Sequence, residues 1–143
     1  MTRTQKAKRD YFTIKSLGNI PLYRDCQVLL DFTLRVTSRL PRAGGGYQMV
    51  GQKLVDANIQ LMYTILNALR EDGGYYRLMQ IQEGIKQICI IKSMYNILQD
   101  HSNRRMINAL SLPQQAEYLK MVNGIVEQME RWRAKQKEII KEG

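Results

Sequence analysis

Few side chains in this sequence can do covalent or proton-transfer chemistry: one histidine, His101, and two cysteines, Cys26 and Cys89. A Ser-His-Asp or Cys-His arrangement would need that single imidazole, which lies in the polar run Asp100-His101-Ser102-Asn103-Arg104-Arg105, expected as a loop. A di-iron bundle needs inward glutamates with Glu-x-x-His pairs, and no such pair occurs. Gly46 to Lys53 has the glycines and lysine of a phosphate loop in the wrong order. The lysine follows Gly51 by two positions, no Ser or Thr comes next, and the preceding segment reads as a helix where a strand is required. The two cysteines sit far apart among apolar neighbours, without the spacing of a zinc site or the density of a disulfide framework, and read as small core residues in a reducing compartment. Glu117, Glu127 and Glu130, interspersed with Lys120 and Arg131, read as a solvated helix face. The expectation is a protein with no catalytic site, no metal and no cofactor.

The chemistry the sequence does supply is cationic. Twenty-two Lys and Arg against thirteen Asp and Glu give a net charge of +9, which favours anionic partners. Met1 to Arg42 holds nine basic and three acidic residues, Ala43 to Glu130 eight of each, and Arg131 to Gly143 five against two, so the whole excess lies in the two end segments. Arg35, Arg39 and Arg42 recur at i, i+4 and i+7, on one side of a helix, where three cations repel unless an anion joins them; the alternative is plain solubility. Arg131, Arg133, Lys135 and Lys137 surround or follow Trp132 near the chain's end. Lys92 interrupts an apolar neighbourhood between Ile91 and Met94 and either snorkels outward or faces a subunit interface or pore. With Lys53, Arg104 and Arg105, these residues form the candidate nucleic-acid-binding set.

The elements that must position them are helices. Leu22, Cys26, Leu29, Thr33, Val36 and Leu40 step by four and three, predicting a helix over about 20–40, stopped by Pro41. Val50, Leu54, Ala57, Leu61, Ile65 and Ala68 predict a second over about 48–70, between the glycine-rich turn after Pro41 and Glu71-Asp72-Gly73-Gly74. Leu78, Ile81, Ile85, Ile88, Ile91, Tyr95 and Leu98 predict a third over about 75–100. The fourth, about 111–141, opens on Ser111, which can cap the amide of Gln114 while that glutamine reaches back, with Pro113 tolerated in the first turn. Its seam runs Ala116, Leu119, Val122, Ile125, Val126, Met129 and Trp132. No segment alternates with period two between hairpin turns, so no strand is expected.

At 143 residues with 44 % hydrophobic content, the chain makes one domain with a real core. The expected architecture is all-α, an antiparallel up-down-up-down four-helix bundle over 20–143 with a basic N-terminal arm over 1–19. The fourth helix, roughly 46 Å long against about 30 Å for the first, should overhang the bundle. The first and last helices should be neighbours, bringing the two cationic ends into one patch. Surface apolar residues such as Phe32, Met62 and Tyr63 hint at an interface. The longest apolar run, Ile88 to Ile91, is far short of a membrane span, and Thr2 to Lys6 lacks the apolar stretch of a signal peptide, so a cytoplasmic location without membrane association is expected.

Several short motifs resemble those of a known group, the four-helix-bundle proteins that include the accessory variability determinant (Avd) of diversity-generating retroelements and the proteins encoded in ribosomal-RNA intervening sequences. Leu40-Pro41 closes the first helix, and Val50-Gly51-Gln52-Lys53-Leu54 with Asp56-Ala57-Asn58 is similar to the family's Gly-Gln-Arg opening of helix two. Ile91-Lys92-Ser93 places a basic residue in an apolar run, and Leu110-Ser111-Leu112 opens a last helix that ends in Ile125 to Met129, Trp132 and cations. Lys53 stands where the family usually has arginine, Glu130-Arg131 replaces a small-residue pair, and Asn103 to Ala109 reads as an added stretch. The resemblance spans about Leu22 to Lys137. It implies a homopentameric ring that binds RNA or DNA through basic surfaces and joins a reverse transcriptase in mutagenic complementary-DNA synthesis, and so a non-enzymatic accessory protein. The alternative from a different class is a structural assembly module whose basic face meets an acidic protein partner.

Overall fold

A computed structural model of the chain describes residues 20–40, 46–70, 74–105 and 111–142, and of 101–105 the backbone alone. Four helices make up the described residues, with no strand among them: α1 (Pro21–Ser38), α2 (Tyr47–Arg70), α3 (Gly74–Arg105) and α4 (Leu112–Glu142). The segment 1–19, expected as a basic arm, and Arg42 lie outside the described residues.

Local chemistry sets the helix ends. Pro21 occupies the first turn of α1, where its missing amide costs nothing. At the other end the hydroxyls of Thr37 and Ser38 donate to the carbonyls of Leu34 and Arg35 at 3.1 and 2.7 Å, and the amides of Arg39 and Leu40 make short-range bonds to Val36 and Thr37. The last carbonyls are therefore satisfied, and α1 stops at Ser38, before the residue preceding Pro41 has to leave the helical region. Ser111 and Gln114 form the expected reciprocal cap of α4, the Ser111 amide donating to Gln114 Oε1 at 3.0 Å and the Gln114 amide to Ser111 Oγ at 3.4 Å. The third helix departs from expectation: it continues through Arg105 rather than ending near residue 100. Asp100 to Arg105 is polar but holds no Gly or Pro to stop it. The backbone of His101 is accordingly helical, not part of a loop.

The seams pack into one core. Cys26, Leu29 and Val36 of α1, Leu54, Leu61 and Ile65 of α2, Ile81, Ile88 and Ile91 of α3, and Val122, Ile125 and Met129 of α4 are buried together. Each helix packs on the next in sequence, and α1 also packs on α4. Residues that meet across the core rise along one helix as they fall along its neighbour: Asp25 with Gln128 and Thr33 with Tyr118, Leu40 with Gln48 and Thr33 with Asn58, Gly74 with Gln136 and Lys92 with Asn123. Two glycines permit close approach. A Cβ on Gly51 would meet Leu40 Cδ1 at 2.9 Å, and one on Gly84 would meet Met129 Cε at 2.5 Å and Thr64 Oγ1 at 3.0 Å.

Three sequence expectations are corrected. Phe32, expected at the surface, is only 9 % exposed and sets its ring 5.4 Å from that of Tyr118. Tyr118, absent from the expected α4 seam, is fully buried, while Ala116 is exposed. Cys89, expected in the core beside buried Cys26, is exposed. Beyond the level of Pro21, α4 continues to Glu142, with Gln136 buried against the start of α3 and donating from Nε2 to the Gly74 carbonyl at 3.2 Å.

Candidate nucleic-acid interface

The heart of the molecule is polar but not reactive. Thr33, Asn58, Tyr95 and Tyr118, one from each helix, are buried at one level. Thr33 Oγ1 donates to the Leu29 carbonyl at 2.8 Å, lies 3.3 Å from the Tyr118 hydroxyl and accepts from Asn58 Nδ2 at 3.2 Å; Tyr95 stacks on Tyr118 at 4.3 Å between centroids. Asn58 Oδ1 and the Tyr95 hydroxyl have no partner among the described residues. Burial pushes both phenols up to about 12, with the neighbouring Tyr118 adding to the effect at Tyr95, and the polar groups of Thr33 and Asn58 offsetting part of it at Tyr118. The Cys26 thiol is likewise pushed to about 12 by burial and secondarily by Asp25, which keeps it protonated and unreactive at neutral pH. Among the described residues no group of three or more His, Cys, Asp or Glu is placed to hold a metal ion, and no helix is long and apolar enough to cross a membrane.

The cations occupy the outside. Arg35 and Arg39 are exposed at the C-terminal end of α1, where positive charge also suits the helix dipole; the Arg35 guanidinium lies 6.0 Å from the centroid of the Phe32 ring. Arg131, Lys135 and Lys137 are exposed on the last turns of α4, Arg133 is half-buried, and Trp132 packs its ring partly against the core. Lys92 is exposed and snorkels across to α4, its Nζ donating to Asn123 Oδ1 at 3.3 Å. Lys53, also exposed, borders an open groove of about 390 Å³ between Asp56 and Gln60 of α2 and Gln87, Ile90 and Met94 of α3. Arg104 and Arg105 stand on the last turn of α3, with their side chains outside the described residues.

Among the described residues, Arg35 and Arg39 stand apart from the cations of α4; the cations of 1–19 and Arg42, which the expected patch also included, lie outside the described residues. Thr33 and Tyr118 share a level; Arg39 lies six residues beyond Thr33 in one direction and Arg131 thirteen beyond Tyr118 in the other. At 1.5 Å per residue, about 29 Å separates them along the molecule, roughly three screening lengths at physiological salt. Arg35 and Arg39 belong to the end where α4 begins, whereas Arg131 to Lys137 share the opposite end with Pro21, where segment 1–19 joins. Charge summed by segment ignores helix direction, and so joins a helix start to a helix end. Five exposed cations among the described residues lie outside the expected set: Arg70, Lys86, Lys120, Lys141 and, on the first turns of α1, Arg24. The offsets of Arg24 from Arg35 and Arg39, eleven and fifteen residues, put all three on one face, a signal the spacing already carried.

Comparison with family models, with curated proteins and with solved structures finds no match to this chain.

Proposed function

We propose that the protein is a non-enzymatic, nucleic-acid-binding accessory protein of the kind its sequence resembles, an Avd-like partner of a retroelement reverse transcriptase in the cytoplasm. The observation that carries this reading is the set of exposed cations on α1 and α4, Arg24, Arg35, Arg39, Arg131 and Lys135, none of which pairs with a carboxylate among the described residues, on a chain whose central segment is electrically neutral. Free cations of this kind neutralise phosphates and release counterions, so the affinity is set by charge and not by sequence. Alternating helix direction, up-down-up-down, is the topology that the opposed register across the core supports, and the basic arm over 1–19 adds charge at the end where α1 begins.

The test is fluorescence anisotropy with labelled RNA and DNA across a salt series. Affinity should fall linearly on logarithmic axes, with a slope near 0.9 for each phosphate neutralised in duplex. No binding of either nucleic acid at low salt would refute the reading.

A second reading has its own observation. Leu34, Ile59 and Tyr63 are exposed along the outer seam of α1 and α2, beside half-buried Leu30 and Met62. An apolar strip of this sort suits assembly, as the ring in the resembling family or as a module that docks a protein partner. Capture of a reverse transcriptase that survives nuclease treatment, by protein with no nucleic-acid affinity of its own, would favour this reading over the first.

A further inference from the structure

We infer that a nucleic-acid duplex of about one helical turn lies lengthwise in the seam between α1 and α4; the inference rests on the nucleic-acid reading above and specifies its surface and ligand. At about 100° per residue, Arg24, Val28, Asp31, Arg35 and Arg39 share an arc of α1 beside Asp25 and Phe32, the residues that meet α4. By the same geometry Lys135, Arg131 and Gly124 share an arc of α4 beside Gln128, which meets α1. The two rows of cations therefore flank one seam. Asp31, Glu117 and Glu142 share these arcs, with Lys120, Glu127 and Glu138 at the edge of the α4 arc, while Asp25 accepts from Gln128 Nε2 at 2.8 Å and lies partly buried in the seam. Between the two groups of cations the wall is open: a Cβ built on Gly124 meets nothing within 4 Å.

Length and stiffness select the ligand. From Arg39 to Arg24 is fifteen residues, about 22 Å, and Lys135 lies about 10 Å further, giving a straight row of roughly 33 Å. That is about ten base pairs at 3.4 Å each, one duplex turn. A single strand held without sequence preference needs aromatic faces for its bases. Among the described residues the exposed tyrosines, Tyr63, Tyr75 and Tyr76, lie instead on α2 and α3, and Trp132 beside Arg131 is half-buried against the core. The duplex thus meets phosphate-binding cations at both ends of the seam and, among the described residues, no exposed aromatic ring.

The test uses DNA and RNA hairpins with stems of five and ten base pairs closed by the same loop, and a ten-nucleotide single strand, titrated at about 0.1 M salt. Removing one phosphate-neutralising cation at that salt costs about eightfold in affinity. The ten-pair stem should bind at least tenfold more tightly than the five-pair stem and than the single strand. Arg131→Gln with Lys135→Gln, and separately Arg35→Gln with Arg39→Gln, should each weaken the ten-pair stem by roughly sixtyfold, with the helical circular dichroism unchanged. Arg133→Gln with Lys137→Gln, on the α3 side of α4, should change it by less than threefold. Equal binding of the two stems, equal binding of the single strand, or an equal loss from the α3-side pair would overturn the seam while leaving nucleic-acid binding intact. Failure of every oligonucleotide to bind would overturn both.

Discussion

Two glycines should answer the same substitution with opposite signs. Alanine at Gly84 places a methyl 2.5 Å from Met129 Cε and 3.0 Å from Thr64 Oγ1. Met129 is fully buried, and Thr64 is tied to the Leu61 carbonyl at 2.7 Å, so neither can step aside freely. Overpacking of this kind costs about 1–3 kcal/mol, and the better helix propensity of alanine returns about 0.8–1.0, leaving a net loss of roughly 1 kcal/mol. At Gly124 the methyl meets nothing within 4 Å, so only the propensity gain remains, about 0.8 kcal/mol of stabilisation. Gly84→Ala and Gly124→Ala should differ by about 2 kcal/mol in urea unfolding followed by far-ultraviolet circular dichroism, and by about 6–8 °C in Tm for a domain of this size. If both variants shift in the same direction, or if Gly84→Ala is as stable as the parent, the close crossing of α2, α3 and α4 at that level is wrong.

The buried layer and the buried thiol give two more tests. Tyr95→Phe removes a hydroxyl that has no partner among the described residues, so thermal melts should show no loss and up to about 1 kcal/mol of gain, whereas Tyr118→Phe breaks the pairing with Thr33 and should cost about 0.5–1.5 kcal/mol. Loss of stability in both would place an unseen partner on Tyr95. For Cys26, the folded chain holds its proton up to about 12 while the unfolded chain releases it near 9.0. The unfolded state binds fewer protons in that window, so stability falls as pH rises, by up to about 1.4 kcal/mol per pH unit. Cys26→Ala should start from a lower stability and show a flatter decline between about pH 9 and about pH 10, before the two buried tyrosines add theirs. An unchanged slope would show that the thiol does not titrate as its burial demands.

Helix positions were legible because apolar periodicity, Pro41 and the Ser111-Gln114 cap each carry a local physical cause. The third helix ran past its expected end because polarity is no stop signal. Cys89 escaped because four consecutive apolar residues sweep about 300° of a helix, so Ile88 and Ile91 can be buried only if Cys89 turns outward. Phe32 and Tyr118 were missed for the converse reason: a helix with two packed neighbours buries a wider arc than one residue per turn, and each ring fills the space left by the other. For the cations, residue types and faces were readable, but their heights were not, since height depends on which residues of α1 and α4 meet across the core.

That height is fixed by the polar layer. Sliding one helix past its neighbours by a single turn, about 5.4 Å, still sets apolar seam against apolar seam. It would, however, separate Thr33, Asn58 and Tyr118, stranding buried polar groups at about 1–3 kcal/mol each. The layer acts as a vernier between α1 and α4: it sets the spacing from Arg39 to Lys135 to a single value, so that a surface made of long, flexible side chains inherits its calibration from three buried side chains near the middle of the molecule.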